Sequence, residues 1–136
     1  MKKYVYICAG GFIGTILRYF IESLKFHNYT GVIPINTLFI NLTGSFLLAF
    51  ITTILIDMAE SSSNIQLMIC TGLIGAYTTF STICKEIWSI FSKGYYLQAI
   101  SYTLMSLIFG LILSALGVLC ARKVIKYISC RKELIK

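Results

Sequence analysis

The residues best equipped for chemistry crowd into one short stretch, GAYTTFSTICKE, residues 75–86. Thr78, Thr79, Ser81 and Thr82 surround a single Phe80, and a Lys85–Glu86 pair closes the stretch, which lies at the end of an uncharged run beginning at Ser61. Gly72, Gly75 and the hydroxyl residues weaken helix propensity where a membrane helix most needs continuity. A broken membrane helix is tolerated only when its freed backbone groups meet protein, water or an ion. Where such a helix unwinds, the last carbonyls of the first half can bind a cation, and the first N–H groups of the second half favour an anion. The stretch therefore fits either a well-packed polar interface or an ion site.

Three further sets of polar residues accompany it. In GGFIGTILRYF, Gly10 and Gly14 are spaced for close helix packing. Arg18 follows Gly14 by four residues and Glu22 follows Arg18 by four, all on one helical face. Arg18 suits a snorkelling anchor or a cation at a pore mouth. In NTLFINLTGSF, Thr37, Asn41, Gly44 and Ser45 share a face, and a mid-membrane Asn either bonds across helices or lines a wet path. Tyr102, Ser106, Gly110 and Ser114 recur every four residues, a polar stripe about 18 Å long at about 1.5 Å per residue.

The elements that must position these groups are membrane helices. The chain has 136 residues, 57% of them hydrophobic and only 12% charged, with mean hydropathy +0.83. A soluble domain this short cannot hide so much apolar surface. No Asp, Glu, Lys or Arg occurs in 26–56, 61–84 or 94–121, and 4–24 is nearly as apolar. Each stretch is long enough to cross a bilayer, which takes roughly 20 residues of helix. The expected architecture is an all-α integral membrane protein, a single membrane domain over 1–136. Its four transmembrane helices are expected at about 4–23, 35–56, 65–91 and 97–121, the third broken, with a basic cytoplasmic tail at 122–136. Pro34 suits the first turn of the second helix. An apolar run of this length with no small-residue cleavage site is not the pattern of a signal peptide.

Four crossings put both termini on one side, with Lys2, Lys3, Arg122, Lys123, Lys126, Arg131, Lys132 and Lys136, against Lys25 and Lys93 opposite. The positive-inside bias predicts cytoplasmic termini in the plasma membrane. The net charge of +7 thus reflects membrane orientation and not nucleic-acid binding. Four helices cannot enclose a wide pore alone, so an oligomer is expected, with function at a subunit interface or between helices. Cys8, Cys70, Cys84, Cys120 and Cys130 form no C-x-x-C and read as small buried hydrophobes. A lone His27 argues against a metal enzyme, and no nucleophile, base and orienting group converge at catalytic spacing. The sequon-like NYT at Asn28 reads as chance.

The whole chain resembles the Fluc (CrcB) family of fluoride channels, through GGFIGTILRY, NTLFINLTGSF and above all GLIGAYTTFSTICKE. The resemblance implies an antiparallel dimer with two narrow pores and a structural sodium ion at its centre. That sodium would be held by the backbone carbonyls of Gly75 and Thr78 of both subunits. It also implies pore residues Asn41, Phe80, Ser81 and Thr82 with Thr37 beside them, a vestibule Arg18, the third-helix Glu86, and a polar track of Tyr102, Ser106 and Ser114. The chain departs from the family pattern at Gly110, where a hydroxyl is usual, and at Ile83, where a second pore Phe is common. Asn36, Ala49 and Ala76 stand where Gly is usual.

The chemistry of the residues fits this expectation. Fluoride is small and strongly hydrated, so a selective path must replace water with compact donors, which Thr, Ser and Asn supply. Phe80 turned edge-on presents the positive rim of its ring to an anion. Passive outward flow at an inside-negative potential gains about 2.3 kcal/mol per 100 mV for each anion. The uneven flanking charge predicts insertion in one orientation and pairing with an oppositely oriented homologue. Two rival expectations are a small four-helix multidrug transporter, which wants a mid-membrane carboxylate where this chain has only Glu22 and Glu86 near helix ends, and a non-conducting assembly subunit.

Overall fold

The structure, a computed structural model, describes residues 2–24, 31–57 and 63–134, with the backbone alone at 63 and 132–134. Lys25, His27, Asn28 and Lys136, used in the sequence reading, lie outside the described residues. The fold is all-helical, and four of its helical spans are long and apolar enough to cross a membrane. Helix α1 covers Lys2–Ser23 and α2 covers Ile35–Asp57. The third span, Asn64–Ser92, is composite. It begins with α3 (Ser63–Gln66), widens into a π-helical segment (Leu67–Ile74) and returns to α4 (Gly75–Tyr77). After Thr78 and Thr79 it resumes as α5 (Phe80–Ser92). Helix α6 covers Tyr96–Leu134.

The helix ends follow from local sequence. Pro34 precedes α2, and its carbonyl accepts from Leu38 N–H at 3.3 Å. Asn36, in the first turn of α2, donates through Nδ2 to the carbonyls of Ile21, Glu22 and Leu24 at 3.3, 3.2 and 2.9 Å. It thereby caps the carbonyl end of α1 and ties two spans at one membrane face. Between α5 and α6, Gly94 sits at φ +85°. Gly94 N–H donates to the Phe91 carbonyl at 3.0 Å and Tyr95 N–H to the Ile90 carbonyl at 3.2 Å, the paired bonds of a Schellman stop.

Packing is close where side chains are absent. Gly10 and Gly14 of α1 lie against the backbone of the π-helical segment, so closely that an added Cβ would overlap the carbonyls of Met68 and Leu73. Gly72 answers from the other side, where a Cβ would sit 2.5 Å from the Ile7 carbonyl. This is the small-residue contact that lets membrane helices approach without a hydrophobic driving force. Gly117 lets α6 approach α2 in the same way, against the Phe46 carbonyl. A compact apolar cluster of Leu38, Ile90, Ala99 and Tyr102 joins α2, α5 and α6, with Ile33, Leu42, Ile83 and Ile87 packed around it. Elsewhere large apolar side chains face outward, among them Phe80 at 82% and Trp88 at 69% exposure, as suits surfaces solvated by lipid or by another subunit.

The fourth helix departs from its expected end. It does not stop at 121 but continues to Leu134. Hydropathy located the end of the uncharged stretch, whereas helix needs only helix-compatible residues, and beyond Gly117 there is neither Gly nor Pro.

Candidate functional site

The site is built on the break in the third span. Thr78 and Thr79 are both extended, at φ −77°, ψ 156° and φ −146°, ψ 115°. Thr78 N–H still reaches the Ile74 carbonyl at 3.0 Å, but beyond it the helical ladder is interrupted, and the N–H groups of Thr79 and Thr82 turn to side chains. Thr79 N–H donates to Oδ1 of Asn41 at 2.8 Å, and the Thr79 carbonyl accepts from Nδ2 of Asn41 at 3.0 Å. One amide on α2 thus replaces the helical bond that Thr79 N–H has lost and adds a second donor to the carbonyl of the N-cap residue. Thr79 then caps α5: its hydroxyl accepts from Thr82 N–H at 3.3 Å. That hydroxyl also lies 2.9 Å from Oγ1 of Thr82 and 3.4 Å from Oγ of Ser81. Upstream, the hydroxyls of Tyr77 and Thr43 pair at 2.8 Å and fix α4 against α2. The Cβ of a larger residue at Gly44 would strike the Thr78 side chain, so glycine there lets α2 pass the break closely.

Two carbonyls are deprived of their helical donors by these exchanges. Thr79 N–H would have served Gly75, and Thr82 N–H would have served Thr78. Gly75 is exposed and Thr78 half-buried, so neither residue is sealed in the core. Hard oxygen donors of this kind suit a hard monovalent or divalent cation.

About two turns beyond the break, Glu86 collects donors from two other spans. Its Oε1 accepts from the Thr37 hydroxyl at 2.7 Å and its Oε2 from the Tyr102 hydroxyl at 2.8 Å. Thr37 and Tyr102 are 3% and 0% exposed, so the carboxylate holds two buried hydroxyls that would otherwise lack partners. Thr37, expected beside the pore, Tyr102, expected in the polar track, and the third-helix Glu86 therefore meet at one point. Tyr102 parts from the rest of its stripe. Ser106, Gly110 and Ser114 face Ser45 and Thr52 across an open groove of about 590 Å³ between α2 and α6. Ser106 Oγ is buried and has no hydrogen-bond partner among the described residues, while Ser45 Oγ donates to the Asn41 carbonyl at 2.8 Å.

Phe80 and Ser81 lie on the exposed side of α5, whereas Ile83 turns inward onto the apolar cluster. Arg18 and Glu22 form a loose pair at 3.9 Å near the end of α1, both partly exposed. The structure thus brings Asn41 to Thr79 and brings Thr37, Glu86 and Tyr102 together. It leaves Arg18, Phe80 and the Ser106–Ser114 groove apart from them. Thr79 was missed as a site residue. The available signal was its position three residues before Thr82 at the start of a helical stretch, where a threonine hydroxyl caps well.

Comparison with known proteins places this arrangement in a lineage. Residues 5–118 match the family model described as CrcB-like protein, Camphor Resistance (CrcB). The chain is 39% identical over 122 residues to a protein of Staphylococcus saprophyticus named fluoride-specific ion channel FluC 2, covering 90% of this chain and 98% of the relative. It is 37% identical over 116 residues to fluoride-specific ion channel FluC 1 of Staphylococcus aureus, covering 85% and 93%. It is 34% identical over 115 residues to fluoride-specific ion channel FluC of a Hydrogenobaculum species, covering 85% and 93%. These matches run through all four spans and the break, and the chain belongs to the CrcB family.

Proposed function

We propose that this chain is a subunit of a fluoride-selective channel that lets fluoride leave the cytoplasm passively. The observation that carries the reading is the break at Thr78–Thr79. It concentrates compact hydroxyl donors in mid-membrane, beside an exposed Phe80, without a lysine or arginine that would trap an anion. The names of the relatives support fluoride as the ion. In this reading the two-protomer pore is completed by an antiparallel partner, and Phe80, Ser81, Thr82 and Asn41 contribute to its wall. Asn41 keeps one amide hydrogen beyond the one given to Thr79, so it can hold the break and still meet an ion. Thr37, Glu86 and Tyr102 hold the α5 end of the path in register.

A structural sodium ion fits the residues present. The Gly75 and Thr78 carbonyls have lost their helical donors, which supports a cation at the break between two protomers. When bound, sodium supplies a fixed charge and a coordination centre between subunits. The donors for fluoride are the hydroxyls of this chain. The unequal basic flanks support insertion in one orientation, termini in the cytoplasm, and pairing with an oppositely oriented homologue.

Fluoride-loaded liposomes carrying the purified chain, alone or with such a homologue, test the reading with a fluoride electrode. Release of fluoride with chloride retained is the expected result. Retention of fluoride in both preparations would overturn it.

A further inference from the structure

We propose that the part of α6 beyond residue 121 is a binding surface for the headgroups of anionic phospholipids. The uncharged portion of α6, residues 96–121, is about 39 Å long at 1.5 Å per residue, close to the full thickness of a bilayer with its headgroups. Arg122, Lys123 and Lys126 therefore emerge at phosphate level, and the rise from 122 to 126 is only about 6 Å. All three are exposed, and among the described residues none is paired with an acidic side chain.

Their arrangement on the helix is directional. At about 100° per residue, Arg122, Lys126 and Lys123 fall within about 100° of arc, while Val124, Ile125 and Ile128 occupy the opposite side with buried Ala121. The helix is continuous through this region, so the three cations are held at fixed azimuth and depth. Lys2 and Lys3, exposed at the start of α1, reach the same membrane face because four spans return the chain to its starting side. The surface is thus matched in sign, depth and geometry to a layer of phosphates. Arg131 lies about 13 Å further along the axis than Arg122 and is too remote to share it fully.

Native mass spectrometry of the full-length chain, titrated with phosphatidylglycerol and separately with phosphatidylcholine, tests the assignment. Phosphatidylglycerol is expected to bind at least about fivefold more tightly, with the preference shrinking as ammonium acetate rises from about 50 to about 500 mM. Combined Arg122→Gln, Lys123→Gln and Lys126→Gln is expected to remove most of the preference, and Arg131→Gln alone to weaken it less. Lys85→Gln with Lys93→Gln, on the other flank, is expected to leave it intact. Circular dichroism of the triple variant confirms that its helix persists. Equal binding of the two lipids, or an unchanged preference in the triple variant, would overturn the proposal. So would displacement of the lipid by millimolar glycerol phosphate, which would mark a site for soluble phosphate esters. None of these readouts depends on fluoride movement, so this assignment and the channel reading fail separately.

Discussion

Asn41 and Glu86 show how single side chains repair backbone and burial costs inside a membrane. Asn41 supplies both an acceptor and a donor to Thr79, at 2.8 and 3.0 Å. Asn41→Ala would leave the Thr79 N–H, in a residue 6% exposed, without its acceptor and take one of two donors from the Thr79 carbonyl. The expected loss is about 1–3 kcal/mol in equilibrium unfolding in mixed micelles, and a variant as stable as the parent would refute this role. Glu86 takes one hydrogen bond on each oxygen, from Thr37 and Tyr102. Thr37→Val and Tyr102→Phe each remove one donor with little change of shape, and each should cost about 1–2 kcal/mol. Because the two bonds share a carboxylate, the double variant should differ from the sum by more than about 0.5 kcal/mol. Strict additivity in that cycle would mean that the three residues do not act as one unit.

Among the elements, the third span is the one that bends, and α1 is fitted to it by glycine. Gly14→Ala would place a methyl group onto the Leu73 carbonyl, an atom of the backbone that cannot rotate away. Displacement of α1 is expected, with a loss of about 1–3 kcal/mol. Gly11→Ala, one residue away from Gly10, meets nothing nearer than 3.9 Å and should cost less than about 0.5 kcal/mol. The pair is measured by the same unfolding assay, and equal losses would show that the α1 contact is not the tight one. Ile83 belongs to this scale as well. In this chain it packs onto the α2–α5–α6 cluster, so an aromatic ring at this position would have to displace core contacts or turn outward.

For the whole molecule, the question is which way the chain sits and with what partner. Eight basic residues lie on the side of the termini and two on the opposite loops by sequence. Insertion in a single orientation is the expected result. Labelling of a C-terminal cysteine tag by a membrane-impermeant reagent, in a variant whose five native cysteines are replaced by serine, should therefore occur from one face only. Equal labelling from both faces would remove the case for a distinct, oppositely oriented partner.

Composition and charge spacing alone determined that this is a four-span helical membrane protein, because twenty uncharged residues in succession have few other stable homes. The glycine and hydroxyl content of residues 72–82 also located the weak point of the third span, since propensity is a local property. The sequence alone could not tell which residue would satisfy the broken backbone. Asn41 and Thr79 are 38 positions apart and meet only because Gly44 lets α2 pass close to Thr78. The π-helical widening at Leu67–Ile74 was equally hidden, because nothing in its run of apolar residues departs from an ordinary membrane helix; it lies where Gly10, Gly14 and Gly72 bring α1 into backbone contact. The strict four-residue row on α6 misled in one respect. Spacing put Tyr102 in line with Ser106 and Ser114, yet the carboxylate of Glu86, carried in by α5, claims the tyrosine and leaves the serines to a separate groove. Periodicity fixes the face of a helix; the hydrogen-bond partners on that face are decided by which neighbouring helices arrive there.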